Sequence, residues 1–303
     1  MRTDGDSPDS EDARAATAAA HVRRVSVAYV GGVHALTDID LALATGTITA
    51  LIGANGSGKS TLLRVLAAIQ EPTTGEVELL GMRRPSHRWS TDQVLRSRVT
   101  YISQSVALDP EMTGQETLTF LATCQGVPRG ERAARIAQLA HSFALTDILS
   151  RLVRTYSGGQ CQRLHVAAGL LSEAELLLLD EPTTGLDDAG CSMLWEELAR
   201  DVSRGRTVAL VTHDLLRAQH YADQVALLHA GKLIACGPPA RLIATVGEPV
   251  GSSGVLAGSD EPALAWVYRA LTGQTVTERW PDQPQRPPGS GKGGGGRRWR
   301  QAE

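Results

Sequence analysis

Gly53 to Thr61 reads GANGSGKST and fits the spacing G-x-x-x-x-G-K-[ST] in full. The chemistry open to that spacing is the gripping of a phosphate chain. Gly53, Gly56 and Gly58, with Ala54, Asn55 and Ser57 between them, let the backbone curl so that its N–H groups converge on phosphate oxygens. The helix that starts here adds its positive dipole end. Lys59 can reach the β- and γ-phosphates, Ser60 completes the motif and offers a hydroxyl to Mg²⁺, and Thr61 follows directly. A ligand-free glycine turn would need neither Lys nor Ser in those places.

Three other stretches set polar groups at the ends of apolar runs. LLLLDEP ends in Asp180 and Glu181, VALVTH in His213, and VTYISQ in Gln104. Ligands of open α/β sheets bind beyond the carboxyl ends of strands, so all four groups are expected at the end of the sheet that holds the phosphate loop. Asp180 suits Mg²⁺, and Glu181 suits a general base that polarises an attacking water. His213 could donate to a γ-phosphate. Gln104 could orient the water or give its amide oxygen to Mg²⁺. A second glycine turn, YSGGQ, opens another helix with Ser157, Gly158, Gly159 and Gln160. It offers N–H groups, a hydroxyl and a helix dipole but no Lys, so it cannot grip a nucleotide alone.

Strands and helices must carry these groups. RRVSVAYV and LTDIDLAL alternate as half-exposed strands do. TITALIG, VTYIS, LLLLD and TVALVTH are more continuous, as in buried parallel strands. VALLHAGKLIACG predicts a hairpin turning at Ala230-Gly231. Between them lie helical patterns. Thr113 and Glu116 form a capping box, and Ile136, Leu139, Ala140 and Phe143 fall at helical spacing. Strands alternating with helices predict an α/β domain with a mostly parallel sheet, interrupted by a helical segment from about 108 to 156. ALAWVYRALTG predicts one late short helix with Ala263, Trp266, Val267 and Ala270 on one face.

The 303 residues are 42% hydrophobic and 21% charged, with a net charge of −3. That is the composition of a globular chain with a real core and carries no nucleic-acid footprint. The 4 cysteines form no C-x-x-C pair, so neither a metal site nor a disulfide framework is expected. No apolar run approaches the ~18 residues that cross a bilayer, and the acidic start does not read as a secretory signal. Residues 1–21 read as a disordered acidic tail and 281–303 as a disordered Gly/Pro/Arg tail. In the latter, Arg297, Arg298 and Arg300 flank Trp299. A short extension, 248–280, precedes it.

In their order along residues 22–247, these motifs resemble the ATP-binding cassette family, the ATPase subunits of ABC transporters. GANGSGKST looks like the Walker A loop, LLLLDEP like Walker B with its catalytic Glu181, Gln104 like the Q-loop, His213 like the switch histidine and YSGGQ like the signature motif. GLD, with Asp187, looks like the D-loop, and Tyr29 fits the aromatic that stacks on adenine. The resemblance implies a P-loop NTPase (RecA-like) core with an antiparallel β subdomain and an inserted α-helical subdomain at about 108–165. It also implies ATP with Mg²⁺ held near Ser60, Gln104 and Asp180. Two cassettes would sandwich two ATP molecules head to tail, each signature closing on the nucleotide of the other chain. A separate integral-membrane permease would be the partner, at the cytoplasmic face of a bacterial cell membrane, with no nucleic acid involved. ALDPEMTGQETLTFL and WVYRALTG look like drug-, antibiotic- or polysaccharide-type exporters, which sets export ahead of import. A soluble cassette acting on ribosomes or nucleic acid usually has two cassettes or a long coiled coil, and this chain has neither. Departures from the pattern are small: Tyr156 where Leu is usual, Cys161 where a larger polar residue is common, and Ser103 where Pro is frequent.

Overall fold

The computed structural model describes residues 18–84, 93–104, 108–245 and 262–276. The tails, apart from Ala18 to His21, and most of the 248–280 extension therefore lie outside the described residues.

Two sheets share the work. The first is antiparallel, in the order β2-β1-β4-β5. It is built from β1 (Ala18–Tyr29), β2 (Val33–Ala44), β4 (Thr74–Leu79) and β5 (Met82–Arg84). Burial of Val22, Val25 and Val27 on β1, and of Leu36, Ile39, Leu41 and Leu43 on β2, gives the sheet an apolar face, with a register shift between Val22 and Val25 that breaks the strict alternation. The second sheet has six strands, in the order β10-β9-β3-β8-β7-β6. These are β3 (Ile48–Ile52), β6 (Val99–Ile102), β7 (Leu176–Asp180), β8 (Thr207–Val211), β9 (Gln224–His229) and β10 (Lys232–Gly237). All neighbours in it are parallel except β9 and β10.

The helices follow in chain order: α1 (Lys59–Leu66), α2 (Gln93–Arg98), α3 (Gly114–Cys124), α4 (Arg132–Ser142), α5 (Gly158–Gly169), α6 (Asp188–Ser203), α7 (Leu215–Tyr221), α8 (Pro239–Ala244) and α9 (Ala263–Thr272).

Strands β3, β7 and β8 are buried at every residue, as strands covered on both faces must be. Alternate residues serve two cores. Ile48, Ala50, Ile52, Leu177 and Leu179 pack with the helices, including Leu164 of α5, Trp195 of α6 and Val267 of α9. Leu51, Leu176, Leu178, Ala209 and Val211 pack with α1 and the antiparallel sheet. This double cover fixes where the strand ends fall, and hence the polar groups just beyond them.

Several local expectations meet the structure directly. Thr113 and Glu116 exchange both bonds of a capping box. The β9–β10 hairpin turns at Ala230 and Gly231, both at positive φ, as a two-residue loop between twisted strands requires. Ile136, Leu139, Ala140 and Phe143 are all buried.

Other expectations differ. Strand β1 begins at Ala18, ahead of the expected start near Val22. Ala19 and Ala20 are buried, and Ala20 pairs with both Leu43 and Leu79. A small side chain suits a strand flanked on both sides, which an Ala-rich composition does not reveal. Helix α9 turns a different face inward. Ala263 and Val267 are buried with Leu264 and Tyr268, while Ala270 is exposed and Trp266 only partly covered. Strands β4 and β5 went unanticipated, because only Val77 and Leu79 of β4 are buried.

Candidate nucleotide site

The phosphate loop leaves β3 at Gly53 and enters α1 at Lys59. Gly58 is the N-cap of α1, at φ 104°. A Cβ there would lie 2.5 Å from the Ala35 carbonyl oxygen and 2.7 Å from Leu36 Cδ2. Both backbone shape and space therefore demand glycine. Lys59 is buried, with Nζ donating to the Gly53 and Ala54 carbonyls at 2.8 and 2.9 Å. Burial lowers its ammonium pKa to about 8, against the opposing pull of Glu181 and Asp180. Ala54 and Ser57 are buried, whereas Asn55 and Gly56 face solvent.

Ser60 Oγ donates to Asp180 Oδ1 at 2.8 Å, so the fold unites two groups 120 residues apart. Asp180 is only 3% exposed. Its other oxygen accepts from the Tyr101 hydroxyl at 3.0 Å. Sequence reasoning passed over Tyr101 as a strand residue. The signal available was a hydroxyl on the strand adjacent to β7, two residues before the expected strand end.

Glu181 sits at φ 51°, a left-handed conformation that costs a non-glycine residue about 1–2 kcal/mol. The chain turns out of β7 at that point, and Thr184 N–H closes the turn on the Glu181 carbonyl at 3.2 Å. The Glu181 carboxylate meets two strand-end groups. Gln104 Nε2 donates to Oε2 at 2.8 Å, and His213 Nε2 lies 3.2 Å from Oε1. Gln104, Glu181 and His213 thus converge from beyond the ends of β6, β7 and β8. At the far side of the loop, the Tyr29 hydroxyl lies 3.2 Å from Thr61 Oγ1, and its ring is partly exposed.

The second glycine turn is built differently. Ser157 is the N-cap of α5, its Oγ accepting from Gln160 N–H at 3.2 Å while Gln160 Oε1 accepts from Ser157 N–H at 2.9 Å. This S-x-x-Q is a capping box, which gives Ser157 and Gln160 a role at their own helix end. Gly158 has no heavy atom within 4 Å of where a Cβ would sit, and its φ is not positive. Among the described residues, nothing sterically requires glycine there. A Cβ on Gly159 would lie 3.6 Å from the Gly185 carbonyl oxygen, so the signature turn abuts the GLD turn. Asp187 caps α6 by accepting from Gly190 N–H at 2.9 Å. Tyr156 is accommodated because Gly114 leaves room for its hydroxyl, which donates to the Ile148 carbonyl at 2.7 Å.

A buried lysine against a carboxylate-hydroxyl pair, with a carboxylate, an amide and an imidazole at neighbouring strand ends, can bind a polyphosphate and activate water beside it. The chain belongs to the ABC transporter family. Residues 36–184 match the ABC transporter family model. Daunorubicin resistance ATP-binding protein DrrA3 of Streptomyces coeruleorubidus is 37% identical over 247 residues, 81% of this chain and 76% of that one. Nod factor export ATP-binding protein I of Rhizobium leguminosarum bv. viciae is 31% identical, over 91% and 89%. A solved ATP-binding subunit of an ABC transporter superposes with TM-score 0.71 at 28% identity, covering 84% of this chain and 99% of that one. The protein is an ATP-binding, ATP-hydrolysing subunit of this family, with the P-loop NTPase fold. Among the described residues, no helix is long and apolar enough to cross a membrane.

Proposed function

We propose that this chain pairs head to tail with a second cassette and powers a separate membrane-spanning permease, in the direction of export, from the cytoplasmic face of the bacterial cell membrane. The observation that carries the catalytic half of this reading is the convergence of Gln104 and His213 on the Glu181 carboxylate. In the reaction, Lys59 leaves the Gly53 and Ala54 carbonyls for the β- and γ-phosphates. Glu181 takes the proton of the attacking water, Gln104 orients that water, and His213 donates to the γ-phosphate. Tyr29 stacks on adenine. Ser60 and Asp180 offer hard oxygens already joined to each other, a donor set that fits Mg²⁺, with Gln104 as a further oxygen. When bound there, Mg²⁺ supplies charge neutralisation on the phosphates.

The Ser157-Gly158-Gly159 turn, exposed at Ser157 and Gly158, supports the paired arrangement, since Gly158 has room beside it for a phosphate from outside the chain. The export direction rests on likeness to a Nod factor export protein and a daunorubicin resistance protein. The test is to purify the chain from detergent-solubilised membranes of its own host and identify what comes with it. A polytopic membrane subunit, with vesicles of the pair moving cargo away from the ATP side, is the expected result. A ribosome or a second soluble cassette alone would overturn it, and cargo moving towards the ATP side would reverse the direction.

A further inference from the structure

The late helix α9 reaches back to the phosphate loop. Tyr268, 214 residues from the loop in sequence, is fully buried, and its hydroxyl oxygen accepts from the Ala54 N–H at 3.1 Å. The same hydroxyl lies 3.0 Å from His229 Nδ1, at the end of β9. Burial holds the His229 imidazole below its usual range. The one hydroxyl thus joins the end of β9 to the start of the phosphate loop. Around the ring, Leu264, Val267 and Tyr268 join the apolar cluster that holds Ile52 and Ala54. The Ala54 carbonyl is meanwhile held by Lys59 Nζ.

Both sides of residue 54 are thus tied, but by groups of different fate. Lys59 must release its carbonyl to reach a phosphate. The Tyr268 bond to the Ala54 N–H carries no such requirement. We infer that Tyr268 is a positioning residue for ATP binding, one that pins the start of the phosphate loop to α9 and so preorganises the N–H groups that follow. The inference rests on the reading of residues 53–61 as the ATP site.

The test uses the full chain and ATP itself. Tyr268→Phe keeps the ring and removes the bond. It should raise the KM for ATP roughly fivefold, with kcat changed less than about twofold, because the loop must be ordered at the expense of binding. Leu264→Ala, on the same buried face, should lower the Tm by several degrees while leaving the KM within about twofold. An unchanged KM in Tyr268→Phe, or an equal KM shift in Leu264→Ala, would overturn the inference. If Tyr268→Phe fails to fold, amide hydrogen exchange of the wild-type chain decides. The Ala54 amide should be protected without nucleotide, and rapid exchange would overturn the inference. A wild-type chain that does not bind ATP would overturn the reading of the site and this inference with it.

Discussion

The two glycine turns of this chain begin helices in similar ways and end up as opposites. The first is held by its own chain at several points: Lys59 is buried, Gly58 is forced by Ala35 and Leu36, and Asp180 is pinned by Ser60 and Tyr101. The second satisfies only its own helix end, through the Ser157–Gln160 box, and presents Gly158 to open space. Among the described residues nothing fills the space beside Gly158, which leaves it open to a group from outside the chain. In the proposed function the first turn holds the phosphates, and the second serves as the missing wall of another chain's site.

The contrast can be broken most forcefully at Glu181. Glu181→Gln should slow ATP turnover about 10²–10⁴-fold, the usual loss for a general base, while still binding ATP. The ATP-bound variant should run as a dimer in size-exclusion chromatography. A fast variant would assign water activation elsewhere. Lys59→Ala should weaken ATP binding by on the order of 2–3 kcal/mol, and an affinity within about twofold of wild type would remove Lys59 from the phosphate site.

The glycines sharpen the contrast next. Gly58→Ala should cost about 2 kcal/mol or more in stability, from the positive φ and the clash with Ala35. Gly158→Ala should leave thermal unfolding within about 0.5 kcal/mol of wild type, yet lower ATPase activity. Equal unfolding of the two variants would erase the distinction.

Lys59 gives a pH dependence. Its pKa in the folded chain, about 8, lies below the ordinary value of 10.5, so the free protein loses this charge between those values. Bound phosphates restore it, so ATP binding takes up a proton in that window, and affinity falls by up to about tenfold per pH unit as pH rises through it. Calorimetric titration at pH 9 in two buffers of different ionisation enthalpy measures the proton directly. The smallest effect is expected at Tyr156→Leu. It loses the bond to the Ile148 carbonyl and should cost about 1 kcal/mol, with ATPase activity unchanged.

What was legible in the sequence follows the reach of each contact. The phosphate loop and its Lys59 are local, nine residues in a row, and were read whole. Glu181 was legible because four leucines fix the strand and the turn after it. Its grouping with Gln104 and His213 followed from the rule that parallel strands end at one edge. Tyr101 and Tyr268 were not legible. Their hydroxyls meet partners 79 and 214 residues away, and no period in the chain encodes that meeting. The α9 face was misread for a related reason. The apolar stripe through Trp266 and Ala270 is as regular as the one through Leu264 and Tyr268, and the tertiary packing of Leu264 and Tyr268 against the core, with the buried hydroxyl's bonds, distinguishes them. Ala18 to Ala20 were lost to composition, which cannot tell a small residue between two strands from one in a tail.

The central claim is that each complete site takes its phosphate loop from one chain and its signature turn from another. The direct measurement is the ATPase rate of purified mixed dimers of Lys59→Ala and Gly158→Asp chains, each inactive alone. In Gly158→Asp the new carboxylate would compete with the γ-phosphate for one set of N–H groups. The mixed dimer holds one site with both defects and one with neither. Activity that appears only in the mixed dimer is the predicted result. Isolated, crosslink-verified mixed dimers no more active than either variant alone would contradict it.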